Sequence, residues 1–180
     1  MERRGSREVP PASGGSETRH HRPISRSSRP GIVAGAVLRS ARLCAGLSQE
    51  NLAAVTGVTE ETIRAWEEGS SPLASVPLPR VTSLAASLRT SGADPGLVAD
   101  LDAAAWCDLV ILAVAHHEDT TCLLADPIAL DPAFAELLAW CLTGHVPDRH
   151  QPYVEPRPLL TDSALIDRVI ESLGLQAADD

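Results

Sequence analysis

Lysine is absent from this chain: all 15 basic residues are arginine, a skew that reads as GC-rich coding bias. Large rings are scarce. Only Trp66, Trp106, Phe134, Trp140 and Tyr153 are aromatic, so Ala and Leu must fill the core that 44% apolar residues can build. Both residues favour helix. Four scattered cysteines in 180 residues exclude a disulfide scaffold. Long apolar runs are missing too. The longest, Ala103 to Ala115, is broken by Asp108 and falls short of the ~20 residues a membrane span needs. No apolar stretch follows the charged N-terminus, so no secretory signal is expected.

The charge present is unevenly placed. Residues 1–30 hold seven Arg and three Glu, residues 31–90 are neutral, and residues 91–180 carry three Arg against sixteen acids, for a net charge of −9. Asymmetry of this kind points to nucleic acid at the basic end. Residues 1–30 are rich in Ser, Gly, Pro and Arg and are expected to be disordered. They form either a basic arm that finds phosphates or an extension without a role. Residues 176–180 are expected to be a disordered tail.

Helical punctuation organises the rest. Ile32 to Cys44 reads as a first helix ended by Gly46. Ser48 caps a second from Gln49 to Val55, Gly57 supplies a turn, and Thr59 caps a third from Glu60 to Glu68, closed by Gly69. Leu84, Ala85 and Leu88 mark a fourth helix from Val81 to Leu88. Asp94-Pro95 and Asp131-Pro132 each place an N-cap before Pro at the first helical position. They start a long helix from Leu97 to His116 and another ended by Gly144. Four prolines make residues 145–160 an extended wrap, and Thr161 or Asp162 caps a last helix to Leu173. The reading is all-α, with a helical unit at 31–92 and an acidic one at 93–175.

The stretch from Leu38 to Gly69 is the most informative. Two short helices flank a tight turn, as a helix-turn-helix requires if its second helix is to enter a major groove. Ala53 is small where the helices must cross, Gly57 gives the turn a permissive backbone, and Val58, Ile63 and Trp66 can pack the second helix inward. Ser48-Gln49 opens the first helix, where amides and a polar side chain can meet a phosphate.

In order, Leu38-Arg39, Arg42, Gly46-Leu47-Ser48-Gln49, Leu52-Ala53, Gly57-Val58-Thr59, Ile63, Trp66-Glu67 and Gly69 resemble the lambda-repressor-like (Cro/C1, Xre-type) helix-turn-helix family over roughly residues 32–92. The resemblance implies a five-helix domain that binds double-stranded operator DNA, often as a dimer. By position it implies that Gln49 contacts the phosphate backbone, that Glu60, Glu61, Thr62, Arg64 and Ala65 form the reading face, and that Arg42 and Glu67 make an internal ion pair. Ser48 and Thr59, at the helix starts, and Arg39 complete the candidate DNA-contacting set. Two departures matter. Glu60 and Glu61 put acid where the family is usually neutral or basic; Glu can accept from cytosine but repels phosphate. The loop after Gly69 lacks basic residues, leaving Arg39, Arg64, Arg80 and Arg89 for the backbone contacts that dominate affinity. Weak binding by the isolated domain is expected, strengthened by the arm or by dimerisation. From Ala103 to Tyr153 the chain resembles the C-terminal part of helix-turn-helix regulators from actinomycetes, which are commonly encoded near small partner proteins.

Other constellations carry less. Cys141 and His145 are spaced to share a helix face, but Cys107, His116, His117 and Cys122 add no tight metal-ligand pair, and no metal or cofactor is expected. Asp100, Asp102, Asp108, Glu118 and Asp119 read as a solvated face with helix caps. A Cys122–His117 pair has no third group to orient it, so no catalytic residue and no enzyme is expected. Trp106 and Trp140 read as neighbouring core residues over a ligand cage. The functional reading is a cytoplasmic transcriptional regulator, nucleoid-associated when bound to DNA. It is expected to be homodimeric, with a small partner protein and no membrane contact. The alternative is an antitoxin-like or scaffold protein whose helix-turn-helix contacts protein.

Overall fold

The structure, a computed structural model, describes residues 29–174. The expectations of a disordered arm and tail fall almost entirely outside those residues. All regular structure among the described residues is helical: α1 (Ile32–Cys44), α2 (Gln49–Thr56), α3 (Glu60–Glu67), α4 (Leu78–Thr90), α5 (Pro95–Ala115), α6 (Thr121–Leu124), α7 (Pro132–Thr143) and α8 (Ser163–Ser172), with 3-10 turns at Leu73–Ser75, Pro127–Leu130 and Gln151–Tyr153.

The caps lie where the sequence places them. Ser48 accepts from the Asn51 amide at 3.0 Å and Thr59 from the Thr62 amide at 3.1 Å. Asp94, Asp131 and Asp162 cap α5, α7 and α8. Helix α4 begins three residues earlier than expected, at Leu78. Pro79 does not bar this, because a residue in the first turn needs no amide donor. Helix α6 and the 3-10 turns at 73–75 and 127–130 carry too few residues to show a helical period.

Helix α5 is the axis of the molecule. It packs along α1 on one side and against α7 and α8 on others. One continuous set of buried apolar side chains runs from Val33 in α1 to Val169 in α8, crossing residues 92–93 without a break. The apolar half of α5 is covered within the chain: Val110, Ile111, Ala113 and Val114 are all buried. No second subunit is needed to cover this half, because α1, α7 and α8 pack against α5.

Two of the five acids read as a solvated face are buried. Asp102, Glu118 and Asp119 face solvent, but Asp100 and Asp108 lie inside. Asp100 takes hydrogen bonds from His150 Nε2, at 2.9 Å, and from Arg149, which also reaches Glu136 at 2.6 Å. Burial works to raise the Asp100 carboxyl, but the His150 and Arg149 bonds outweigh it and hold it below the usual range. Buried charge is tolerated only when partnered in this way.

The tryptophans are not a pair. Trp140 packs against His150, with centroids 5.5 Å apart, whereas Trp106 donates to the Leu123 carbonyl at 2.9 Å. Cys141 is buried in α7, while His145 is exposed beyond the helix end, since Gly144 turns the chain at φ 83°. The expected shared face therefore does not exist. Burial pushes the Cys107 and Cys141 thiols up, with Asp108 adding to both, so both remain neutral core residues.

Candidate nucleic-acid interface

Helices α2 and α3 are short, and their geometry is set by the link between them. Gly57 adopts φ 68° and donates its amide to the Ala53 carbonyl, as does Val58 at 3.2 Å. A left-handed residue closing a helix in this way is inexpensive for glycine alone. Thr59 then restarts the chain as α3. Buried Ala53 lets the two helices approach, and Ile63 and Trp66 anchor α3 to the core.

Close approach to α1 depends on a second glycine. A Cβ built on Gly35 would sit 2.5 Å from the Trp66 carbonyl oxygen and 2.7 Å from that of Glu67. The end of α3 thus rests directly on the backbone of α1. No sequence expectation attached to Gly35; a glycine inside a helical pattern was the available signal.

Ile63 and Trp66 face inward and Glu67 turns onto Arg42, which leaves the N-terminal part of α3 and Arg64 facing out. Glu60, Glu61 and Arg64 are exposed, with Thr62 and Ala65 half-buried. Arg64 Nη2 meets Glu60 Oε1 at 2.9 Å, one turn apart and about half exposed. Such a pair contributes little to stability, about 0–1 kcal/mol, but it neutralises the cation of this face and leaves Glu61 in excess. The hydroxyls of Thr59 and Thr62 lie 2.8 Å apart.

Behind this face lies a partly buried charge network. Arg42 Nε meets Glu67 Oε1 at 2.5 Å, Arg42 Nη2 meets Oε2 at 3.0 Å, and Arg42 Nη1 donates to the Leu47 carbonyl at 2.7 Å. Side-chain exposures are 9% for Arg42 and 4% for Glu67. Gln49 joins the network: its amide donates to Glu67 Oε2 at 2.8 Å. The side chain assigned to phosphate is therefore turned onto the ion pair, fixing the start of α2 relative to the end of α3. Ser48 is exposed, with its hydroxyl engaged in capping. Arg39 is exposed on α1 but lines a cleft beside Glu67 and Glu68, at the far end of α3 from Thr59.

Asp108 also shapes the site from a distance. Its two oxygens accept from the Val33 and Ala34 amides at 2.9 and 3.0 Å. Burial pushes its carboxyl up to about 7, against the pull of those two amides. The signal for it was the single acid in an otherwise apolar run.

Residues 33–101 match the family model described as a helix-turn-helix domain. The match covers α1 to α4 and the first turns of α5, so the segment similar to that domain extends beyond the end of α4. No curated protein and no solved structure matches the chain. No described helix is long and apolar enough to cross a membrane.

Proposed function

We propose that this protein is a sequence-specific DNA-binding transcriptional regulator of the Cro/C1, Xre type that places α3 in the major groove. The carrying observation is the division of α3: Ile63 and Trp66 are locked into the core while Glu60, Glu61 and Arg64 face out, within a segment that matches a helix-turn-helix domain. The groove admits a helix presented in this way. Thr62 and Arg64 are the base-reading candidates, Ala65 offers an apolar contact, and Ser48, Gln49 and Thr59 lie at the helix starts that face phosphate. The protein acts in the cytoplasm, as a homodimer on a two-fold operator, without enzymatic activity.

The test begins with chromatin immunoprecipitation of the tagged full-length chain, which recovers the operator. Gel-shift titration then compares wild type with Thr62→Ala and Arg64→Ala. Each variant loses about five- to 150-fold on the operator, since one good base contact is worth about 1–3 kcal/mol. Equal shifts by all three proteins mean that α3 does not read DNA.

One observation favours a second reading. Glu60 neutralises Arg64 and leaves Glu61 unopposed, and a reading face without net positive charge suits a basic protein surface. Failure to recover any operator, together with a stable protein complex lost in Glu61→Lys, supports that interaction protein instead.

A further inference from the structure

Residues 152–159 cross back over α1 and the end of α3, leaving a cleft of about 560 Å³. That volume lies within the range of small-ligand sites. The far wall is firmly held. The amides of Leu159 and Leu160 both donate to the Cys141 carbonyl at 3.1 Å. A Cβ on Gly144 would lie 2.8 Å from Pro158, so this strap seats tightly on the end of α7. The cleft is thus built by packing that requires no ligand.

Its lining has two parts. Ile32, Ala36, Trp140 and Leu159 make an apolar floor, with Tyr153 also lining the cleft. The Trp140 indole Nε1 is buried and has no partner among the described residues. Charges of both signs stand around this floor. Arg29, Arg39 and Arg157 have no ion-pair partner among the described residues, Arg29 Nη1 donating instead to the Glu68 carbonyl at 3.2 Å, and neither Glu68 nor Glu155 has one. Glu67 also borders the cleft, but Arg42 and Gln49 occupy its carboxylate.

We infer that this cleft binds a small zwitterion with an apolar body, of the chemistry of an aromatic or aliphatic amino acid. Arg39 and Arg157 receive its carboxylate, a planar group that guanidinium matches in shape. Glu68 and Glu155 receive its ammonium group, and the apolar body lies on the floor. A simple anion would leave the two acids facing it unanswered, and a simple cation would do the same to the three arginines. This site is independent of whether α3 reads DNA.

The probe is L-phenylalanine, titrated calorimetrically into the full-length chain alongside phenylalaninamide, which lacks the carboxylate, and 3-phenylpropionate, which lacks the ammonium group. L-phenylalanine binds saturably and raises the melting temperature, and both analogues bind at least about tenfold more weakly. The double variant Arg39→Gln, Arg157→Gln weakens L-phenylalanine by a similar factor, and circular dichroism verifies its fold. No saturable binding up to about 10 mM, equal binding of either analogue, or an undiminished double variant overturns the inference.

Discussion

Asp108, in the middle of α5, caps the N-terminus of α1: its Oδ1 accepts from the Val33 amide at 2.9 Å, and its Oδ2 from Ala34 at 3.0 Å. These are the second and third helical amides, which a residue at the cap normally satisfies through its own side chain. Gly31 holds that position and has none to offer. It has no room for one either, because a Cβ there would lie 2.7 Å from Pro72 Cα. The cap is therefore supplied across 75 residues of sequence. It ties α1 to α5.

Removing that cap should be costly. Asp108→Ala leaves two buried amides without an acceptor, each worth about 1–3 kcal/mol, so a loss of roughly 2–6 kcal/mol is expected in urea denaturation. A loss below about 1 kcal/mol would show that the amides find other partners.

The same carboxyl gives a pH signature. Its folded value is raised to about 7 from 3.8. Between these values the folded state holds a proton that the unfolded state has lost. Stability from this group is therefore fully present below about pH 4 and declines as pH rises through 7, by up to about 4 kcal/mol. Asp108→Asn cannot titrate and should lack that decline. The stability difference between wild type and Asp108→Asn, followed from pH 4 to 8, should change steadily. A constant difference removes the assignment.

Arg42 and Glu67 should behave as a buried pair. Arg42→Ala leaves the Glu67 carboxylate, 4% exposed, with Gln49 as its remaining side-chain partner. A loss of about 3–5 kcal/mol is expected. Melting indistinguishable from wild type would place the pair among ordinary surface contacts.

Gly35→Ala separates packing from propensity. Alanine favours helix by about 1 kcal/mol, which alone would stabilise α1. The backbone oxygens of Trp66 and Glu67 leave no space for the methyl group, so the substitution should instead destabilise by about 1–3 kcal/mol. A rise in melting temperature would contradict the close approach of α1 and α3.

Deleting residues 1–28 removes six arginines. If they contribute phosphate contacts, each adds about 0.9 to the slope of log affinity against log salt. The truncated protein should bind its operator more weakly and with a flatter slope. An unchanged slope makes those residues passengers.

Much of the domain was legible from local signals. Ser48, Gly57, Thr59 and Asp94 act within a few residues of themselves, so their order along the chain announces the ends of α2 and α3 and the start of α5. Ile63 and Trp66, three apart, state which side of α3 is inward. The roles of Gln49 and Asp100 were not legible. Gln49 is a polar residue at a helix start, and nothing local says that it turns onto Glu67. Asp100 reads as surface until His150 and Arg149, 50 and 49 residues away, close over it.

The sequence by itself determined the helical composition, the turn at Gly57 and the outward residues of α3, because capping, glycine backbone freedom and helical period are short-range effects. Only the tertiary structure decided that α5 runs against α1, that Asp108 replaces a missing local cap, and that the strap at 152–159 leaves a cleft against α1 and α3. Those outcomes depend on burial and on hydrogen bonds between distant segments. A buried acid is stable only where packing brings it a partner, and no local pattern states which partner will arrive.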